Sequence, residues 1–109
     1  MTKIKYQISN DEFEIEVKGH AGYAAVGNDI VCSAISILVQ TLAYHVGEVA
    51  REHDYKISSG EVWIRAKGET AMVSFKTILT GLLMLQTQYP EYISVAEGCT
   101  INPFTDLIK

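Results

Sequence analysis

Ile4-Lys5-Tyr6-Gln7-Ile8, then Ser9-Asn10-Asp11, then Glu12-Phe13-Glu14-Ile15-Glu16-Val17-Lys18: two alternating runs flank a cluster of turn formers. A period of two puts the apolar side chains of a strand on one face, so the pair reads as a hairpin with one buried side. The second run ends at Gly19, and a glycine-bearing segment continues to Gly27. From Asp29 the period becomes helical. Val31, Ile35, Leu38, Leu42, Val46 and Val49 recur at steps of three and four, the stripe of a helix lying on a sheet. Asn28 or Asp29 is expected to cap this helix, which should run to about His53.

Downstream the pattern repeats. Tyr55-Lys56-Ile57-Ser58 and Val62-Trp63-Ile64-Arg65-Ala66-Lys67 flank a turn at Ser59-Gly60. A second helix is expected from Ala71 to Gln88, rich in leucine (Leu79, Leu82, Leu83, Leu85) and ended by Pro90. Ile93 to Ala96 supplies a fifth strand. The order ββαββαβ predicts a single α+β domain over residues 1–109, with one antiparallel sheet and both helices on one face. The tail from Cys99 to Lys109 reads as an edge strand or an arm on a partner subunit.

The chain has 109 residues, 48% of them hydrophobic and 20% charged, a balance that suits a packed core rather than disorder. Nine basic residues against thirteen acidic ones give a net charge of −4, and the basic ones are scattered singly. Nucleic-acid binding needs several phosphates neutralised together, so no direct nucleic-acid partner is expected. A basic polypeptide suits the acidic balance better. The apolar stretches are interrupted short of about 18 residues, which predicts no membrane-spanning helix. Residues 1–6 do not form the apolar block of a signal peptide. A cytoplasmic address follows, with Cys32 and Cys99 as thiols.

Chemistry concentrates between Gly19 and Ser36. With a cap at Asn28 or Asp29, Cys32 falls in the first helical turn. There the free N–H groups and positive dipole end favour a thiolate and can receive an oxyanion. His20 ends the second strand, and Gly22 and Gly27 give the intervening loop freedom to fold back toward Cys32. The pair then has two readings, a thiolate–imidazole dyad or a structural cysteine with a solvated histidine. Asp29 has two readings, the third member of a triad or the helix cap. Ser36, one turn beyond Cys32, either supports the site or bonds back to a helix carbonyl. His45, Glu48 and Glu52 share a helix face but lack a second pair at zinc spacing, so no metal site and no cofactor is expected. Trp63, Tyr89 and Tyr92 serve either a peptide groove or ordinary packing.

Gly19-His20-Ala21-Gly22-Tyr23-Ala24, followed by Gly27-x-Asp29-Ile30-Val31-Cys32-x-Ala34-x-Ser36, resembles the signature of the ribosomal-processing cysteine protease family of Firmicutes and related bacteria. The likeness extends to Thr80-Gly81-Leu82 and Gln88-Tyr89-Pro90-Glu91-Tyr92. It implies a small cytoplasmic homodimer that removes a short N-terminal extension from a large-subunit ribosomal protein. By the same resemblance His20 is the general base and acid and Cys32 the nucleophile. The loop holding Ala21, Gly22, Tyr23 and Gly27 would be ordered by an apolar, aromatic-containing recognition sequence. The competing reading is a non-catalytic peptide-binding or ribosome-assembly module built on the same fold.

Overall fold

The computed structural model describes residues 1–19, 26–58 and 60–98, the side chains of 26–29 excepted. The elements are β1 (Thr2–Ser9), β2 (Glu12–Lys18), α1 (Val26–Val49), β3 (Glu52–Ser58), β4 (Glu61–Lys67), α2 (Glu69–Gln88) and β5 (Ile93–Glu97). The expected α+β order is the observed one. Ser9 pairs with Glu12 across a tight turn in which Asn10 takes φ 56°, a left-handed conformation that asparagine tolerates.

The sheet order is β3-β4-β2-β1-β5. All neighbours run antiparallel except β5, which is parallel to β1, so the sheet is mixed rather than wholly antiparallel. Alternation tells which face a strand buries, not which way it runs. After α2 the chain re-enters beside the start of β1, where the Thr2 N–H donates to the Tyr92 carbonyl at 2.9 Å.

Ile4, Phe13, Ile15, Val17, Ile64 and Ala66 form the inner face of the sheet. They lie beneath Val31, Ile35, Val39, Leu42 and Val46 of α1 and Ala71, Phe75, Ile78 and Leu82 of α2. Phe75 stacks on Phe13 with ring centroids 4.3 Å apart and planes at 12°, and meets Tyr6 at 5.7 Å. The helices run antiparallel. A Cβ on Gly81 would lie 3.3 Å from the Leu38 methyls, and His45 Nδ1 lies 2.6 Å from Ser74 Oγ. The outer face of the sheet carries charge instead. Arg65 donates to Glu12 at 2.7 Å, and the buried Trp63 indole N–H donates to Glu14 at 2.7 Å.

Both ends of the first helix and the start of β3 differ most from expectation. The first helix begins at Val26 rather than after a cap at Asn28 or Asp29, and it ends at Val49 rather than near His53. Glu52, His53 and Asp54 are drawn into β3 by pairing with Lys67, Ala66 and Arg65, so tertiary pairing overrides the helical pattern there. The Ile30–Val49 segment is also long and apolar enough by composition to cross a membrane, contrary to the expectation from interrupted apolar runs. Serine, threonine and glutamine lower the average too little to prevent this. In the fold, one stripe of that helix is packed on the sheet.

β3 is an edge strand with every residue exposed. Its Tyr55 and Ile57 pair with Ile64 and Val62 and so belong to the helix-side face. They nevertheless remain 52% and 53% exposed, because the helical layer does not reach over them. A groove is left between α1 and the β3–β4 hairpin.

Candidate active site

This groove has a volume of about 300 Å³, and Cys32 stands in its helical wall. Ile35 and Val39 on the same helix, Val17 of β2, Ile57 of β3 and Val62 of β4 make it largely apolar. The Cys32 side chain is half-buried, and its thiol is free. Ser36 and Gln40 follow at successive helical turns and line the same groove. A second, shallower depression on the outer side of α1 is bounded by Cys32, Ser33, Ser36, Ile37 and Gln40. Cys32, Ser36 and Gln40 therefore form a polar ridge open on both sides.

Ser36 differs from the other helical hydroxyls. Thr41, Ser74, Thr77, Thr80 and Thr87 all donate to the carbonyl four residues earlier, at 2.6–3.1 Å. Among the described residues Ser36 makes no such bond, and it is exposed along the groove.

Cys32 lies in the second turn of α1, not the first. The unpaired N–H groups of a helix belong to its first four residues, so those of Cys32 and Ser33 are committed to the helix. They cannot receive an oxyanion as the sequence reading proposed. The dipole effect also falls off within the first turn, so the helix end contributes little at Cys32. Asp29 lies inside the helix rather than at its cap position, which removes the capping reading. Gly27 also lies in the first turn of the helix. His20, Ala21, Gly22 and Tyr23, with Cys99 and the rest of the tail, lie outside the described residues.

What the fold does establish is the position of Gly19, the residue before His20 in the sequence. Gly19 lines the groove together with Cys32. It sits at φ +116°, and its N–H donates to the Gly60 carbonyl at 3.0 Å. A Cβ built there would lie 2.6 Å from the Met1 carbonyl oxygen. No L side chain fits that position unless the backbone shifts. Gly19→Ala is expected to destabilise the domain by about 2–4 kcal/mol, combining left-handed strain with the clash, and to displace the chain as it enters residue 20. Thermal unfolding and thiol alkylation of the variant check this. A melting temperature equal to wild type would show that the close approach to Met1 is not rigid.

The other candidates stand elsewhere. His45 is engaged with Ser74, and no group of three metal-ligating residues occurs among the described residues. Trp63 is on the opposite face of the sheet, while Tyr89 and Tyr92 pack at the core edge. Sequence reasoning missed Gln40 and Ile57. The signal for Gln40 was a polar residue two turns from Cys32 on the same helix face. Ile57 gave none, because alternation implied burial.

A half-exposed thiol in the wall of an apolar groove, facing the strand end that leads into a histidine, is the arrangement of a cysteine protease. The chain matches the family model of the cysteine protease Prp over residues 1–94 and belongs to that family. No curated protein sequence matches. Solved structures with the same fold include the essential ribosomal processing protease Prp from S. aureus in complex with a covalently linked product peptide. That structure has 20% identity and a TM-score of 0.78, covering 90% of this chain and 100% of that one. The same protease with a substrate peptide gives 19% identity and a TM-score of 0.79 at the same coverage. SMU.848 from Streptococcus mutans matches at 23% identity and a TM-score of 0.69, covering 89% of this chain and 93% of its own.

Proposed function

We propose that this cysteine protease removes a short N-terminal extension from a large-subunit ribosomal protein, using His20 and Cys32 as a dyad. The observation that carries the reading is the groove shared by the Cys32 thiol and Gly19, the residue before His20. The similar S. aureus protease acts in ribosomal processing and takes a peptide, held covalently in one structure and as substrate in another.

His20 takes the proton from the Cys32 thiol, and the thiolate attacks the carbonyl carbon of the scissile peptide bond. The tetrahedral intermediate collapses as His20 gives that proton to the leaving amine, breaking the C–N bond and leaving a thioester on Cys32. His20 then deprotonates water, which attacks the thioester and releases the extension as a carboxylic acid with the thiol restored. Asp29 orients the imidazole and stabilises its charged form. Ser36 supports the reacting peptide through its free hydroxyl. Because Cys32 is too far into α1 for the dipole to act strongly, the imidazole carries the activation.

The test is incubation of the ribosomal protein bearing its extension with the reduced protein, followed by mass analysis of both products. One internal cut freeing the extension supports the reading. Binding without cleavage would instead favour the peptide-binding or ribosome-assembly module.

A cytoplasmic homodimer belongs to the same proposal. The outer face of the helical layer exposes Ile37, Tyr44, Val73 and Met84 at 57–76%, and the charged residues of the two helices are only Asp29, Glu48, Glu69 and Lys76. A surface this poor in charge suits burial against a second copy. Tyr44→Lys is expected to convert the wild-type dimer to monomer in sedimentation at micromolar concentration. A monomeric wild type would refute the assignment.

A further inference from the structure

Gln40 is an exposed amide at the far end of the Cys32–Ser36–Gln40 ridge, beside the apolar Ile35 and Val39 of the same helix and across the groove from Ile57. Among the described residues its side chain makes no hydrogen bond, and it borders both depressions that meet at Cys32. Apolar grooves use a few placed polar groups to fix the run of a ligand. An amide offers one donor side and one acceptor, the same complement a peptide unit presents.

We infer that Gln40 is a positioning residue that hydrogen-bonds the main chain of the bound polypeptide at a distance from the scissile bond. The inference rests on the protease reading for its occupant. The distance follows from geometry. Eight residues along α1 at 1.5 Å each separate Cys32 from Gln40 by roughly 12 Å. An extended chain rises about 3.3 Å per residue, so Gln40 meets the peptide three or four residues from the attacked carbonyl. Bonding to main chain makes this contact indifferent to the side chain at that position. The bond adds affinity and alignment without touching the reacting atoms, so its loss belongs in KM and not in kcat.

The experiment uses a nested set of peptides spanning the ribosomal protein's extension and cleavage junction, shortened one residue at a time from each end. Affinities are measured on Cys32→Ser protein, and kcat and KM on active protein, each with and without Gln40→Ala. For long peptides Gln40→Ala is expected to weaken binding and raise KM by about 3- to 10-fold, the worth of one net hydrogen bond. The kcat should be unchanged. For peptides ending within two residues of the junction on the side that reaches Gln40, the variant should equal its parent. Replacing the one peptide N–H by N-methyl at that position should cost wild type the same factor and Gln40→Ala nothing. Equal losses on long and short peptides, a loss confined to kcat, or no loss at all would each overturn the inference. If active wild type cleaves none of the peptides, the protease reading falls, and the affinities still decide the role of Gln40. Absence of binding to any peptide overturns both.

Discussion

Cys32→Ala and Cys32→Ser are each expected to lower cleavage by at least about 10³-fold while leaving peptide affinity within a few-fold of wild type. Covalent catalysis by a thiol has no substitute once the sulfur is gone. Alanine cannot attack, and a serine hydroxyl is far harder to deprotonate by an imidazole matched to a thiol. The side chain is half-buried in an open groove rather than in the core, so neither change should empty a packed site. Unfolding curves close to wild type are therefore part of the expected result. Residual cleavage above about one-tenth of wild type in Cys32→Ala would require a different nucleophile.

Phe75→Ala is expected to have the largest effect on stability, about 3–5 kcal/mol. Phe75 is 0% exposed and stacks on Phe13 across the interface between α2 and the sheet. Removing the ring leaves a cavity and forfeits the aromatic pair. In a domain whose total stability is of order 5–15 kcal/mol, such a loss lowers the melting temperature by roughly 12 °C or more. Val73→Ala, two residues earlier on the same helix and 66% exposed, is expected to change stability by less than about 1 kcal/mol. Chemical denaturation of the pair measures the contrast. Similar values for both would contradict the assigned core face of α2.

The hairpin of β1 and β2 and the stripe of α1 were legible because their periods report burial directly. Phe13, Ile15 and Val17 are buried as alternation requires, and Val31, Ile35, Leu42 and Val46 as helical spacing requires. The direction of β5 was not legible, since its alternation is the same whichever way it runs. Nor was the helix start. Gly27 reads as loop, yet α1 passes through it, and Cys32 thereby moves out of the first turn. That shift removes the backbone activation the sequence suggested. The groove itself was hidden for a related reason. Tyr55 and Ile57 have the alternation of a covered strand, but an uncovered face at a sheet edge is set by the reach of the helical layer, which no local pattern encodes. Cys32, singled out in the sequence, lines that groove.

Rapid quenching of the wild-type protein with excess peptide, followed by intact mass measurement, tests the central assignment most directly. The proposed reaction predicts a transient mass increase equal to the acyl fragment on the N-terminal side of the cut, mapped to Cys32 and decaying as product forms. Cleavage that proceeds with no adduct on Cys32, and that persists in Cys32→Ser, would contradict it.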